Sequence, residues 1–182
     1  PTAETSVEQE VLLELSHSNV IRMFGLPEVD ADGNQQYMAF EPCVTGDLLA
    51  DITNGTGSGT LHPRTLEHVI DHEKLRGIDA VRPIMLQMVE GATYLHGHTE
   101  LAVHGLTHRD LKPANVLVKR CQGKYGGSNE AKLTDFGSSK IHDEGTMAIT
   151  QGVGTEGWQA PEVIRGEPTN AAADVFSMGL LF

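Results

Sequence analysis

A chain of 182 residues with 13 Lys+Arg against 25 Asp+Glu carries a formal net charge of −12, which argues against nucleic acid as the main partner but not against a small anionic ligand. Two cysteines, Cys43 and Cys121, cannot build a disulfide framework, so a reducing compartment is expected. No apolar run approaches the roughly 20 residues of a membrane span, and the start Pro1-Thr2-Ala3-Glu4 lacks the flanks of a secretory signal.

In chain order, Ser6 with Gln9 suits a helix N-terminus, and Val7, Val11, Leu12 and Leu15 recur at helical spacing until His17-Ser18-Asn19 breaks the pattern. Val20–Phe24 and Gln36–Phe40 read as strands joined by the turn Asp30-Ala31-Asp32-Gly33-Asn34. Residues 46–52 suggest a short helix, Asn54–Thr60 a flexible loop, and 61–78 one polar helix. Asp79 caps a long helix that tolerates Pro83 in its first turns and lines one face with Val81, Ile84, Met85, Met88, Ala92 and Leu95. Past Gly105 come short strands and loops, with strands expected over Asn115–Lys119 and Lys132–Thr134. The apolar ending Asp174–Phe182 has no C-cap or polar tail, and both ends of the chain read as cut from a larger domain.

The chemistry concentrates in His108-Arg109-Asp110-Leu111-Lys112-Pro113-Ala114-Asn115, followed in order by Asp135-Phe136-Gly137, Ala160-Pro161-Glu162 and Asp174-Val175-Phe176-Ser177-Met178-Gly179. Four such motifs in this order are very specific, and the chain resembles the eukaryotic protein kinase family over essentially its whole length. The resemblance implies an α+β, two-lobe kinase fold truncated at both ends. The remainder of the small lobe would occupy 1–42, the hinge 43–46, and a partial large lobe 47–182 with an insertion at about 53–78. It also implies a serine/threonine kinase using ATP and Mg²⁺ on a protein substrate. Phosphoryl transfer asks a protein mainly to position reactants and offset charge on anionic oxygens. Asp110 would orient the attacking hydroxyl, Lys112 would offset charge near the transferring group, and Asn115 and Asp135 would hold Mg²⁺.

Further residues fall into the family's register. Glu8 looks like the regulatory-helix glutamate that pairs with an ATP-positioning lysine, against the plainer reading of one exposed glutamate among several. Phe40-Glu41-Pro42-Cys43 resembles the hinge approach: Phe40 as gatekeeper, the Glu41 carbonyl and Cys43 amide on the adenine edge, and Leu117 as the adenine floor. Asp47 would touch ribose or substrate, or else simply begin a solvated helix. Leu12, Met23, His108 and Phe136 match the apolar column that aligns the lobes, a role compatible with plain core packing. Arg109 is placed to meet an activation-segment phosphate. Thr146 and Thr150 are candidate phosphosites, whereas Thr155 matches the fixed threonine that bonds the catalytic Asp and Lys112. Gly55-Thr56-Gly57-Ser58-Gly59 has the wrong spacing and place for a phosphate loop, and His68 with His72 lacks a third metal ligand.

Glu156-Gly157-Trp158, the hinge cysteine and the long Lys119–Lys132 connection look like the inositol-requiring stress-sensor kinase/ribonucleases, which would imply a homodimer. No Gly-rich loop or Val-Ala-x-Lys lysine precedes Glu8. The segment alone is therefore expected to be inactive; its parent is expected to be an active kinase or, alternatively, a nucleotide-sensing pseudokinase, and an inactive gene fragment is the third reading. A cytoplasm-facing site follows from the need for ATP and a reducing space.

Overall fold

The computed structural model describes residues 12–29, 35–43, 65–66, 78–97, 105–121, 128–142, 148–149 and 152–181. Mixed helix and strand content bears out the α+β expectation. The strands are β1 (Met23–Val29), β2 (Gln35–Phe40), β3 (Gly105–Thr107), β4 (Val116–Cys121), β5 (Ser128–Leu133), β6 (Lys140–His142), β7 (Ala148–Ile149) and β8 (Pro168–Thr169). They pair antiparallel as β1–β2, β3–β6, β4–β5 and β7–β8. The helices are α1 (Ile78–Gly97), the single turn α2 (Pro161–Ile164) and α3 (Ala172–Leu181), with residues 12–14 also helical.

Helix α1 forms where the apolar spacing places it. Ile84, Met88, Ala92 and Leu95 are each at most 1% exposed, whereas Leu86 and Val89 on the opposite side are 55% and 46% exposed. The buried stripe packs with Leu15, Val20, Leu106, Leu111, Val116, Val118, Ala131 and Leu133 into the main core. Gly91 is required here by proximity: a Cβ at that position would lie 2.8 Å from the carbonyl oxygen of Asn19. The turn at 17–19 is thereby drawn onto the helix. Asn19 Nδ2 donates to the Gln87 side chain and to the Ala131 carbonyl, and Tyr94 stacks on His17.

Some boundaries shift from the sequence reading. Val20 makes only an isolated bridge to Leu133, and the strand begins at Met23 and runs to Val29. The reason is local: Ile21 N–H bonds the Leu133 carbonyl, so residues 20–21 belong to the edge of β5 rather than to the hairpin. Asn115 ends a 3₁₀ turn, Pro113–Asn115, instead of opening a strand, because Pro113 presets that turn. Strand β5 starts four residues before Lys132 and stops at Leu133, since its register is set by β4. Strands β3 and β6 and the turn α2 were not anticipated; three-residue strands carry too little periodicity to read. The turn at 30–34 lies outside the described residues, as do the elements and insertion expected over 46–77 apart from Thr65 and Leu66; there Thr65 makes an isolated bridge to Leu117 and Leu66 is buried in the main core. Among those described, no helix is long and apolar enough to cross a membrane.

Candidate active site

Two strained backbone positions mark the site. Among the described residues, Arg109 and Asp135 are the non-glycine residues at positive φ, 65° and 64°. Such conformations cost of order 1–3 kcal/mol and persist only where the surroundings impose them. For Arg109 the constraint is visible. The carboxylate of Asp174, 0% exposed on α3, accepts the backbone N–H groups of His108 and Arg109 at 2.8 Å each. His96 Nε2, from the last turn of α1, reaches the same carboxylate at 2.8 Å. The His108 ring contacts the Thr134 carbonyl and tilts against Phe136 with ring centroids 5.1 Å apart. The loop 108–112 is thus fixed from three elements.

That loop presents Asp110 to a closed set of partners. Thr155 Oγ1 donates to Asp110 Oδ1 at 2.7 Å, and Lys112 Nζ donates to Asp110 Oδ2 at 2.8 Å and to Thr155 Oγ1 at 2.6 Å. Asn115 Nδ2 donates to the carbonyl and to Oδ2 of Asp110, at 2.8 and 3.0 Å. Burial pushes the Asp110 carboxyl up, but hydrogen bonds from Lys112 and Thr155, the Lys112 charge and the Asn115 amide outweigh it and hold the carboxyl below its ordinary value. Thr155 reaches this position because Gly154 precedes it. Gly154 sits at φ +92°, and a Cβ there would lie 2.6 Å from the Arg109 carbonyl oxygen, so the chain passes close only as glycine.

Asn115 links the two acidic sites. Its carbonyl accepts the Thr134 N–H at 3.0 Å, which places Asp135 one residue from that anchor. Asp135 is exposed, and its carboxylate accepts from the Gly137 N–H at 3.4 Å. Asn115 spends its amide nitrogen on Asp110, so its oxygen is the atom suited to a cation. One carboxylate and one amide oxygen are hard donors of the kind and number that suit Mg²⁺, which completes its shell with water and phosphate. No cluster of three or more His, Cys, Asp or Glu side chains that would cage a metal occurs among the described residues.

The segment after β2 contributes an apolar patch. Ile21, Cys43 and Leu117 are buried together, with Phe136 packed against them. Burial raises the Cys43 thiol above its usual range, only partly offset by Lys132. Phe40, at the end of β2, is 41% exposed. Leu12 packs on the main core, Met23 is buried, and the Arg109 guanidinium bonds the carbonyls of Ser138 and Ser139. Glu8, Asp47, Thr146 and Thr150, with the glycine loop at 55–59, His68 and His72, lie outside the described residues.

Sequence reasoning missed His96 as a partner of Asp174, and Lys132 as a partner of Glu41. Neither carries a local signal, since each pair joins residues far apart in the chain.

The chain matches the protein kinase domain family over residues 2–182. It is 32% identical to the serine/threonine-protein kinase/endoribonuclease IRE1b of Arabidopsis thaliana, over 95% of this chain and 21% of that protein. It is 31% identical to the serine/threonine-protein kinase/endoribonuclease ire-1 of Caenorhabditis elegans, over 92% of this chain and 15% of that protein. It is 32% identical to the calcium/calmodulin-dependent protein kinase type 1 of Caenorhabditis briggsae, over 98% of this chain and 41% of that protein. The chain therefore spans less than half the length of each of these relatives.

Proposed function

Because the chain belongs to the protein kinase domain family, we propose that the protein carrying it transfers the γ-phosphoryl group of ATP to a serine or threonine hydroxyl of a protein substrate. The observation that carries this reading is the set around Asp110: a lysine, a threonine hydroxyl and an asparagine amide each within 3.0 Å of its carboxylate, with the lysine and the threonine also bonded to each other.

Asp110 accepts the hydrogen bond of the incoming hydroxyl and so aims its oxygen at phosphorus. As the new O–P bond forms, the bond from the γ-phosphorus to the bridging oxygen breaks and ADP departs. The hydroxyl proton passes to the Asp110 carboxylate. With its basicity lowered, Asp110 is a weak base that accepts the proton late, which suits a loose, positioning-dominated transition state. Lys112, held between Asp110 and Thr155, sets its ammonium where negative charge gathers on the transferred group. Asn115 and Asp135 would hold Mg²⁺, which when bound offsets phosphate charge. Leu117 and Cys43 would line the adenine, whose edge would face the Glu41 carbonyl and the Cys43 N–H. Pro42 lacks an N–H and so leaves that role to its neighbours.

The test is Asp110→Asn in the protein that carries this chain. Phosphate transfer from labelled ATP to a degenerate serine/threonine peptide library should be lost while Mg·ATP binding is kept. Transfer at the unsubstituted rate would remove the proposal.

A further inference from the structure

Lys132 occupies a place that lysines seldom take. It is 4% exposed, and its Nζ lies 2.7 Å from the Ser18 carbonyl oxygen, 3.1 Å from Glu41 Oε1 and 3.3 Å from Glu130 Oε1. The phosphoryl-transfer chemistry uses none of these contacts. A buried ammonium is costly unless well paired, and here three oxygens from three stretches of chain match its three donors. Glu130 is two residues away on the same strand and offsets the charge locally. Glu41 comes from the far end of the hairpin, where a second set of bonds also holds it.

Glu41 is gripped twice over. Its Oε1 accepts the Arg22 N–H at 2.9 Å, and its own N–H donates to the Arg22 carbonyl at 2.8 Å. With Lys132 on the same side-chain oxygen, both the backbone nitrogen and the carboxylate of Glu41 are fixed. Little freedom remains for the peptide that carries its carbonyl. In the β4–β5 register Lys132 stands directly opposite Leu117, so the two share a face of that pair, while Val116, Val118, Ala131 and Leu133 point into the main core on the other.

We infer that Lys132 is a positioning residue for the nucleotide: by gripping the Glu41 side chain and the Ser18 carbonyl, it fixes the direction of the Glu41 carbonyl toward the adenine edge. This rests on the proposed reading of Glu41–Cys43 as that edge. It separates affinity from chemistry, because Lys132 touches nothing in the Asp110 set.

The test measures the Kd of Mg·ATP by calorimetry, and KM and kcat by phosphate transfer. It uses the protein that carries this chain with Lys132→Met, Glu41→Ala or Glu41→Gln, and the Lys132→Met/Glu41→Ala double variant. Loss of one charge-assisted grip should raise Kd and KM for ATP about tenfold in Lys132→Met and in Glu41→Ala, more than kcat falls. Glu41→Gln keeps an acceptor for both Lys132 and Arg22 and should recover most of the affinity. The double variant should be no weaker than either single one, because both remove the same contact. Thermal melting checks that each variant is folded. Should Lys132→Met not fold, Glu41→Ala against Glu41→Gln decides alone, since Glu130 still neutralises the lysine there. Unchanged ATP affinity in folded Glu41→Ala overturns the inference, as does a loss in Glu41→Gln equal to that in Glu41→Ala. A protein that does not bind ATP before any substitution overturns the kinase reading beneath it, and the inference with it.

Discussion

Replacing Thr155 by valine removes one hydroxyl at nearly constant shape. In the structure that hydroxyl donates to Asp110 Oδ1 at 2.7 Å and accepts from Lys112 Nζ at 2.6 Å. Each contact involves a charged partner, and such bonds are worth about 1.5–3 kcal/mol. Asp110 and Lys112 keep their direct bond of 2.8 Å, so the pair stays together but loses the brace that sets its angle. If one such contact is lost in the transition state, kcat should fall about 10- to 100-fold, at roughly 1.4 kcal/mol per tenfold. Thr155 is only half-buried, so folding should suffer far less than catalysis. The assay is steady-state phosphate transfer to a degenerate serine/threonine peptide library at saturating ATP, with Thr155→Ser alongside. Serine keeps the hydroxyl and should retain most of the rate. A valine variant at the unsubstituted kcat, or a serine variant as slow as valine, would refute the reasoning.

Asp174→Ala should cost about 3 kcal/mol or more, read as a lower urea midpoint, because it strands the buried N–H of His108 and that of Arg109 together. Gly154→Ala should lower kcat more than it lowers the urea midpoint, since its Cβ would press on the Arg109 carbonyl beside Asp110. Met88→Ala, at a fully buried site on α1, should destabilise by about 2–5 kcal/mol in the same titration. Because the Asp110 pKa is lowered on folding, its contribution to stability is complete above the unfolded carboxylate pKa. That contribution is lost as pH falls through the lowered folded value. Asp110→Asn should therefore flatten the acid limb of a plot of urea midpoint against pH below about pH 4.

Much of this site could be read from residue order because its groups sit on one short loop and its spacing. Asp110, Lys112 and Asn115 lie within six residues, and the turn begun by Pro113 folds Asn115 back onto Asp110. The α1 face was legible for a similar reason: four buried positions repeat at helical spacing. What could not be read are long-range partners. Nothing near His96 names Asp174, and nothing near Lys132 names Ser18 or Glu41, because those meetings depend on how α1, β5 and the hairpin pack. The short strands β3 and β6 were illegible on the same ground, since Leu106 pairs with Ile141 from far along the chain and three residues leave no alternation to count. Gly91 and Gly154 show the reverse case. Each is a visible residue whose reason, a close approach to another stretch of backbone, appears only in three dimensions.

The most direct measurement of the central claim is the pre-steady-state rate of phosphate transfer by Asp110→Asn at saturating Mg·ATP, beside ATP binding to the same variant. The account predicts that binding stays within about threefold while transfer falls by at least about 100-fold. A variant that binds ATP and still transfers phosphate at the unsubstituted rate would contradict it.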